Sequence, residues 1–192
     1  MSIPRYKLLL LIFAVTAIFP CSAAALDCAD FWSWVERGCD RVVDTYKRGD
    51  DTLLVSGYSY HIPATWTPER RAQLNTNAWG GGYGRMVEDA NGDTRIVFIL
   101  GFEDSHKHAE LQVGYGQATY WGSRDSLQPG LGWTFMIAQR PDIAGGYPFP
   151  VLLPLAFLRY RNVNVVATYI PTLNGGINHG STLYVFGQIG LH

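Results

Sequence analysis

Between residues 30 and 47 the apolar side chains recur at helical spacing. Phe31, Trp34, Val35, Val42, Val43 and Tyr46 share one face, whereas Glu36, Arg37, Asp40, Arg41 and Asp44 fall elsewhere. This predicts an amphipathic helix, packed either on the rest of the fold or with its aromatic face in a lipid interface. After Gly49 the period changes to two. Short segments rich in Val, Ile, Tyr, Phe and Gly alternate with turn residues, which predicts strands over 52–61, 80–89, 94–103, 109–118, 129–139, 149–159, 163–170 and 181–191. Asn91-Gly92 and Arg161-Asn162 mark tight hairpins.

The alternation shows which environment each face meets. In the last strand Leu183, Val185, Ile189 and Leu191 alternate with Tyr184, Phe186, Gln188 and Gly190. One side is apolar and the other mixed, as in a transmembrane barrel with a narrow, partly polar interior. A soluble sandwich shows the same period, but strands near the length that spans a bilayer favour the membrane. The fold class expected is therefore all-β: an eight-stranded antiparallel transmembrane β-barrel over 49–192, preceded by the amphipathic helix within 26–48. Taking the connections after strands two, four and six as short and the others as long puts loops 62–79, 104–108, 140–148 and 171–180 outside the cell.

The amino terminus agrees with export. Arg5 and Lys7 precede an apolar run from Leu8 to Phe19, and small residues follow up to Ala25, as in a signal peptide over 1–25. The run is shorter than the roughly 20 residues that a membrane-crossing helix needs. Asp27 before Cys28 argues against a lipid anchor. Of the three cysteines, Cys28 and Cys39 would remain. On one unbroken helix they would stand about 16 Å apart, so a disulfide requires a break near Gly38; separate thiols are the alternative.

The 192 residues are 47% hydrophobic and 14% aromatic, with a formal net charge of −1, so no basic field points to nucleic acid. No nucleophile elbow, zincin pair or phosphate loop occurs. His61 ends the first strand and Asp104-Ser105 end the third, which places all three at the external rim. A histidine, a carboxylate and a hydroxyl together can move a proton and support acyl transfer, although histidines at strand ends are commonly just polar rim residues.

Several runs resemble one family. Trp79-Gly80-Gly81-Gly82-Tyr83-Gly84, Gly101-Phe102-Glu103-Asp104-Ser105, Gly114-Tyr115-Gly116, Pro150-Val151-Leu152-Leu153-Pro154-Leu155-Ala156 and Thr168-Tyr169-Ile170-Pro171 look like the PagP lipid A palmitoyltransferases, in the family's order. The resemblance implies an acyltransferase of the bacterial outer membrane, with a phospholipid as donor, lipid A as acceptor and outer-membrane lipids around it. It implies no cofactor or metal. It makes His61 the proton carrier and matches Asp104 and Ser105 to the family's essential pair. Neighbours on an extended strand face opposite ways, so both serve one site only if the strand ends or bulges there. Asp104 then orients His61 or the acceptor, and Ser105 is nucleophile or hydrogen-bond donor. The resemblance also assigns Gly116, on the inward phase, to the floor of an acyl pocket, and Pro150 and Pro171 to gaps that admit lipid sideways. Read without it, these prolines simply terminate strands.

The chain departs from the family at His106 and His108, where the related loop is richer in tryptophan; two such histidines can bind metal, but in a rim loop they more often face water. It also departs at Asn174-Gly175-Gly176, which lengthens the last loop, and at His192, where an aromatic residue is usual. A lipid A or phospholipid hydrolase on the same barrel and a nonenzymatic structural or adhesion barrel are the rival functions. The assembly expected is a monomer or homodimer.

Overall fold

A computed structural model describes residues 32–172 and 179–191. The proposed signal peptide, Phe31, Cys28, His192 and the Asn174-Gly175-Gly176 segment lie outside them. Helix α1 (Ser33–Arg48) precedes eight strands: β1 (Asp50–His61), β2 (Gly80–Glu88), β3 (Thr94–Glu103), β4 (Ala109–Tyr120), β5 (Gln128–Gln139), β6 (Phe149–Tyr160), β7 (Val163–Ile170) and β8 (Thr182–Gly190). The strands form a closed antiparallel barrel in chain order, with β1 paired to both β2 and β8. Closure pairs each strand with a neighbour on both sides over at least part of its length, as a lipid-embedded sheet requires.

The barrel turns its apolar positions outward. Val113, Leu131, Phe135, Ile137, Leu152 and Val165 are all exposed, while the intervening Gln112, Thr134, Met136 and Val166 are buried. This inversion of a soluble protein's pattern is what hydrocarbon around the barrel demands. Aromatic side chains mark both rims, with Tyr60, Trp79 and Tyr147 exposed at the end of β1 and the starts of β2 and β6, and Trp121 and Tyr160 exposed at the opposite rim.

The chain divides into two compact units between Val43 and Asp44, inside α1, so the end of the helix belongs to the unit that contains the barrel. Trp32, just before α1, and Trp34 within it place their ring centroids 6.4 Å apart and are exposed, as is Val42. Cys39 is disulfide-bonded, and its partner lies outside the described residues. The helix runs unbroken through Gly38, so the break that a Cys28–Cys39 bond was expected to require there is absent. It begins at Ser33. Thr45 is fully buried and Asp44 pairs with Arg95 at 3.3 Å, so the last helical turn is fastened to the rim where β1 starts.

The expected contrast of short and long loops is not regular. The 121–127 connection after β4 is longer than the 104–108 connection after β3. Strand direction alone still brings the end of β1, the end of β3 and the end of β5 to one rim. The first connection, 62–79, also folds rather than merely linking: a helical turn, α2 (Pro68–Arg71), is capped by Thr67, whose Oγ1 accepts from the Arg70 N–H. Residues 75–78 then lie along β1 where β2 no longer reaches it, with Thr76 O accepting from Ser59 N and Gly57 O from Ala78 N.

Ladder pairing between β6 and β7 stops at Leu155↔Thr168, and beyond it the Phe149–Pro154 half of β6 has no register partner in β7, the Thr168 hydroxyl donating to Pro154 O at 2.8 Å where the ladder ends. On its other edge β6 pairs with β5 as far as Phe149. The cause is local: Pro150 and Pro154 carry no N–H, β7 ends at Ile170 and Pro171 follows.

Candidate active site

A cavity of about 960 Å³ opens at the rim carrying the ends of β1 and β3 and runs down the barrel interior. This is the size of a small-molecule pocket. Its walls are mostly apolar, including Leu54, Ile96, Leu100, Met136 and Leu155, and Gly116 lines it as the inward phase of β4 predicts. Towards the far end, Ala118 and Phe157 close in with Tyr120 behind them, the Tyr120 and Phe157 rings meeting edge to face at 5.6 Å. Arg159 lies over the Tyr120 ring at 3.7 Å, donates to Gln128 Oε1 at 2.9 Å and to Gly92 O at 3.1 Å, and is buried. This layer ends the cavity.

The mouth holds the polar groups. β1 delivers His61 at its last residue, only 3% exposed despite its place at the rim. Burial comes from Trp66, whose ring meets the imidazole edge-on at 5.4 Å and whose Nε1 donates to Ser181 O at 2.9 Å. Gly180 permits this, because a Cβ there would lie 2.5 Å from the Trp66 ring. The Nε2 atom of His61 is 2.9 Å from Ser105 Oγ. Its Nδ1 is buried without a hydrogen-bond partner, an arrangement rare enough to mark a working site.

β3 ends at Glu103, so Asp104 and Ser105 escape strand alternation and point to different tasks. Ser105 O accepts from Asn75 N at 2.8 Å, which anchors the serine backbone. Asp104, 3% exposed, accepts the N–H groups of His106 and His108 on Oδ1 at 2.8 and 2.7 Å. Its Oδ2 stands 3.1 Å from Arg140 Nη2. Asp104 therefore organises the 104–108 turn and faces Arg140; it does not contact the unpartnered His61 Nδ1. The site brings His61 and Ser105 together as a dyad, with Asp104 supporting the turn that presents Ser105.

Sequence reasoning missed Trp66, Glu110, Arg140 and Asp142. Arg140 is the hub, 2.8 Å from Asp142 Oδ2 and 3.7 Å from Glu110 Oε2. Burial works against both charges of the Arg140–Asp142 pair, but their hydrogen bonding outweighs it. It holds the Asp142 carboxyl below the usual carboxylate range and the guanidinium above its own. Glu110 had a visible signal, being a charged residue on the inward phase of β4 beside Gln112.

Residues 41–188 match the model of the family described as antimicrobial peptide resistance and lipid A acylation protein PagP. The chain belongs to the PagP family. Among similar PagP proteins is a lipid A acyltransferase from Methylobacillus flagellatus, 33% identical over 91% of this chain and 93% of its own length. Another, from Bordetella parapertussis, is 36% identical over 86% and 90%, and one from Legionella pneumophila is 35% identical over 85% and 86%. The PagP match reaches into all eight strands, ending within β8, and contains every residue of the dyad, the turn and the cavity described above.

Proposed function

We propose that this chain is an outer-membrane acyltransferase that moves a palmitoyl chain from a phospholipid to lipid A. The observation that carries the reading is a buried His61–Ser105 pair at the mouth of a long apolar cavity, in a member of a lipid A acylation family. In this reading the cavity holds the donor's acyl chain and the pair meets its ester. The ester C–O bond of the donor breaks and a new one forms to the acceptor hydroxyl. The proton lost by that hydroxyl passes through His61 and Ser105 to the departing lysolipid oxygen. Export by the 1–25 signal peptide and action as a monomer or homodimer complete the proposal.

The rival hydrolase uses the same groups but gives the acyl chain to water. Mass spectrometry of lipid A from cells with and without this chain separates them: an added palmitoyl mass is expected, and release of free fatty acid with unchanged lipid A defeats the transferase reading.

Lipid reaches the cavity sideways in this proposal, through the unpaired stretch between β6 and β7 beside Pro150 and Pro171. Extending the register past Leu155↔Thr168 brings Leu153 opposite Ile170. A Leu153→Cys/Ile170→Cys pair, oxidised, is expected to stop transfer and to recover with reductant, the parent protein given the same reductant serving as control. Full activity of the cross-linked barrel would exclude this passage.

The charge and the acceptor role of Asp104 are separable. Asparagine keeps an Oδ1 that caps the 104–108 turn, whereas alanine removes it. Asp104→Ala is expected to lower the turnover rate by at least about tenfold, the loss of two buried hydrogen bonds. Asp104→Asn recovers most of it if the turn is what matters. Equal loss in both variants would instead assign the role to the charge facing Arg140.

A further inference from the structure

His61 meets Ser105 through Nε2, and its other ring nitrogen has no polar partner. A histidine that serves a hydroxyl is ordinarily held from behind, by a carboxylate on the second nitrogen that fixes the plane of the ring. Here nothing of the kind reaches it. Asp104 is committed to the N–H groups of His106 and His108. The torsion that swings an imidazole is soft, so an apolar contact has to fix it.

Trp66 supplies that contact. Its ring stands perpendicular to the imidazole, with an interplanar angle of 90° and a centroid separation of 5.4 Å, and is itself buried. The indole in turn is pinned. Its Nε1 donates at 2.9 Å to Ser181 O, the carbonyl that also takes the Ile62 N–H at 3.1 Å, one residue beyond the His61↔Thr182 pair of β1 and β8. Ser181 N donates to Thr65 Oγ1 at 2.8 Å, and that hydroxyl donates to Ile62 O at 3.0 Å, so the 62–66 turn is tied to Ser181 along its length. Gly180 lies against the five-membered part of the indole: a Cβ there would fall 2.5 Å from both Cε2 and Nε1 and 2.6 Å from Cδ1. A side chain at 180 therefore displaces Trp66.

We propose that Trp66 is the positioning residue of the dyad: its pinned indole holds the His61 imidazole towards Ser105, doing for the ring what a carboxylate does in a triad. The effect on turnover rests on the acyl-transfer reading, whereas the placement of the ring is measurable without it. Misplacing a reacting group by about 1 Å costs on the order of a hundredfold in rate. Loosening the ring should thus lower turnover and leave substrate affinity alone.

Protein labelled with ¹⁵N-histidine and folded in detergent micelles gives the first measurement, the His61 signals being assigned by their loss in His61→Ala. Ser105→Ala should shift the Nε2 signal of the parent, because it removes the hydrogen bond, and should no longer shift it in a Trp66→Ala background. Gly180→Ala, which pushes the indole rather than removing it, should have the same effect, so failure of one variant to fold leaves the other to decide. Steady-state transfer from a palmitoyl phospholipid to lipid A gives the second measurement. Trp66→Ala should lower kcat at least about tenfold, with KM for the donor within about twofold of the parent. Gly180→Ala should lower kcat about threefold or more by itself, yet by less than about twofold once Trp66 is already alanine, since its Cβ then has room. A Ser105→Ala shift that survives in folded Trp66→Ala or Gly180→Ala protein, a raised KM with kcat kept, or losses that simply multiply in the double variant would each overturn the assignment. A parent protein that shows the resonance pattern but transfers nothing would defeat the acyl-transfer reading alone.

Discussion

Ser105→Ala and His61→Ala are each expected to lower acyl transfer to lipid A by at least about a hundredfold, the scale of lost acid–base or nucleophilic assistance. The two substitutions break one hydrogen bond from opposite ends, so the double variant should be hardly worse than either single one. Folding provides the control. Ser105 lies in a turn beyond β3, and neither side chain belongs to the lipid-facing exterior. His61→Ala also leaves a void beside Trp66, so Ser105→Ala is the cleaner measurement. It is read as label transferred from a palmitoyl phospholipid to purified lipid A in micelles. Ordinary turnover by a folded Ser105→Ala protein would remove the dyad from the chemistry.

Gly116→Met is expected to change which donor is used rather than whether one is used. From the rim near His108 to Gly116 a tilted strand descends roughly 20 Å, and a sixteen-carbon chain is about as long. Gly116 is buried and lines the cavity just above Ala118 and Phe157. A Cβ there would meet Trp133 O at 3.2 Å, Ile96 Cγ2 at 3.5 Å and Thr134 Cβ at 3.6 Å. The first contact asks for a shift of a few tenths of an ångström, and the rest of a methionine side chain must occupy the cavity. At about 1.3 Å per methylene it displaces roughly three to four carbons of the donor chain. Preference should move from sixteen carbons to about twelve or thirteen. Gly116→Ala, adding only the Cβ, should move it by about one. Competition among phosphatidylcholines of graded chain length reads this directly; an unchanged palmitoyl preference in the methionine variant would place the floor elsewhere.

The strands were legible because the two faces of each meet different solvents. Val113 and Leu131 face outward and Gln112 and Thr134 inward, and that contrast marked strand limits to within about two residues. β1 starts earlier than expected because Asp50 and Asp51 belong to the rim, where polar residues carry no alternation. Loop length misled at 121–127 because length is not fixed by side of membrane. Strand order alone brought His61 and Ser105 to one rim, but their contact depends on β3 stopping at Glu103 and on Trp66 folding back from a connection with no periodic pattern. Arg140 was invisible for the same reason: it acts from a loop, and two of its three carboxylate partners, Asp104 and Glu110, are far from it in sequence, while Glu110 and Arg159 were readable as charges on an inward phase.

The layer of Phe157, Tyr120 and Arg159 that ends the cavity has a consequence for the membrane as a whole. Beyond it, the opposite rim has its own small polar pocket, lined by Glu88, Arg124 and Gln128 among others and sharing no lining residue with the long cavity. A guanidinium held against a phenol ring, with Nε donating to Gln128, Nη1 to Gly92 and the Glu88 carboxylate 3.6 Å away, is fixed across the route that ions would need. The barrel is thus expected to carry no ionic current, so that a membrane filled with copies of it should not leak, and conductance across a planar bilayer holding the purified protein checks this.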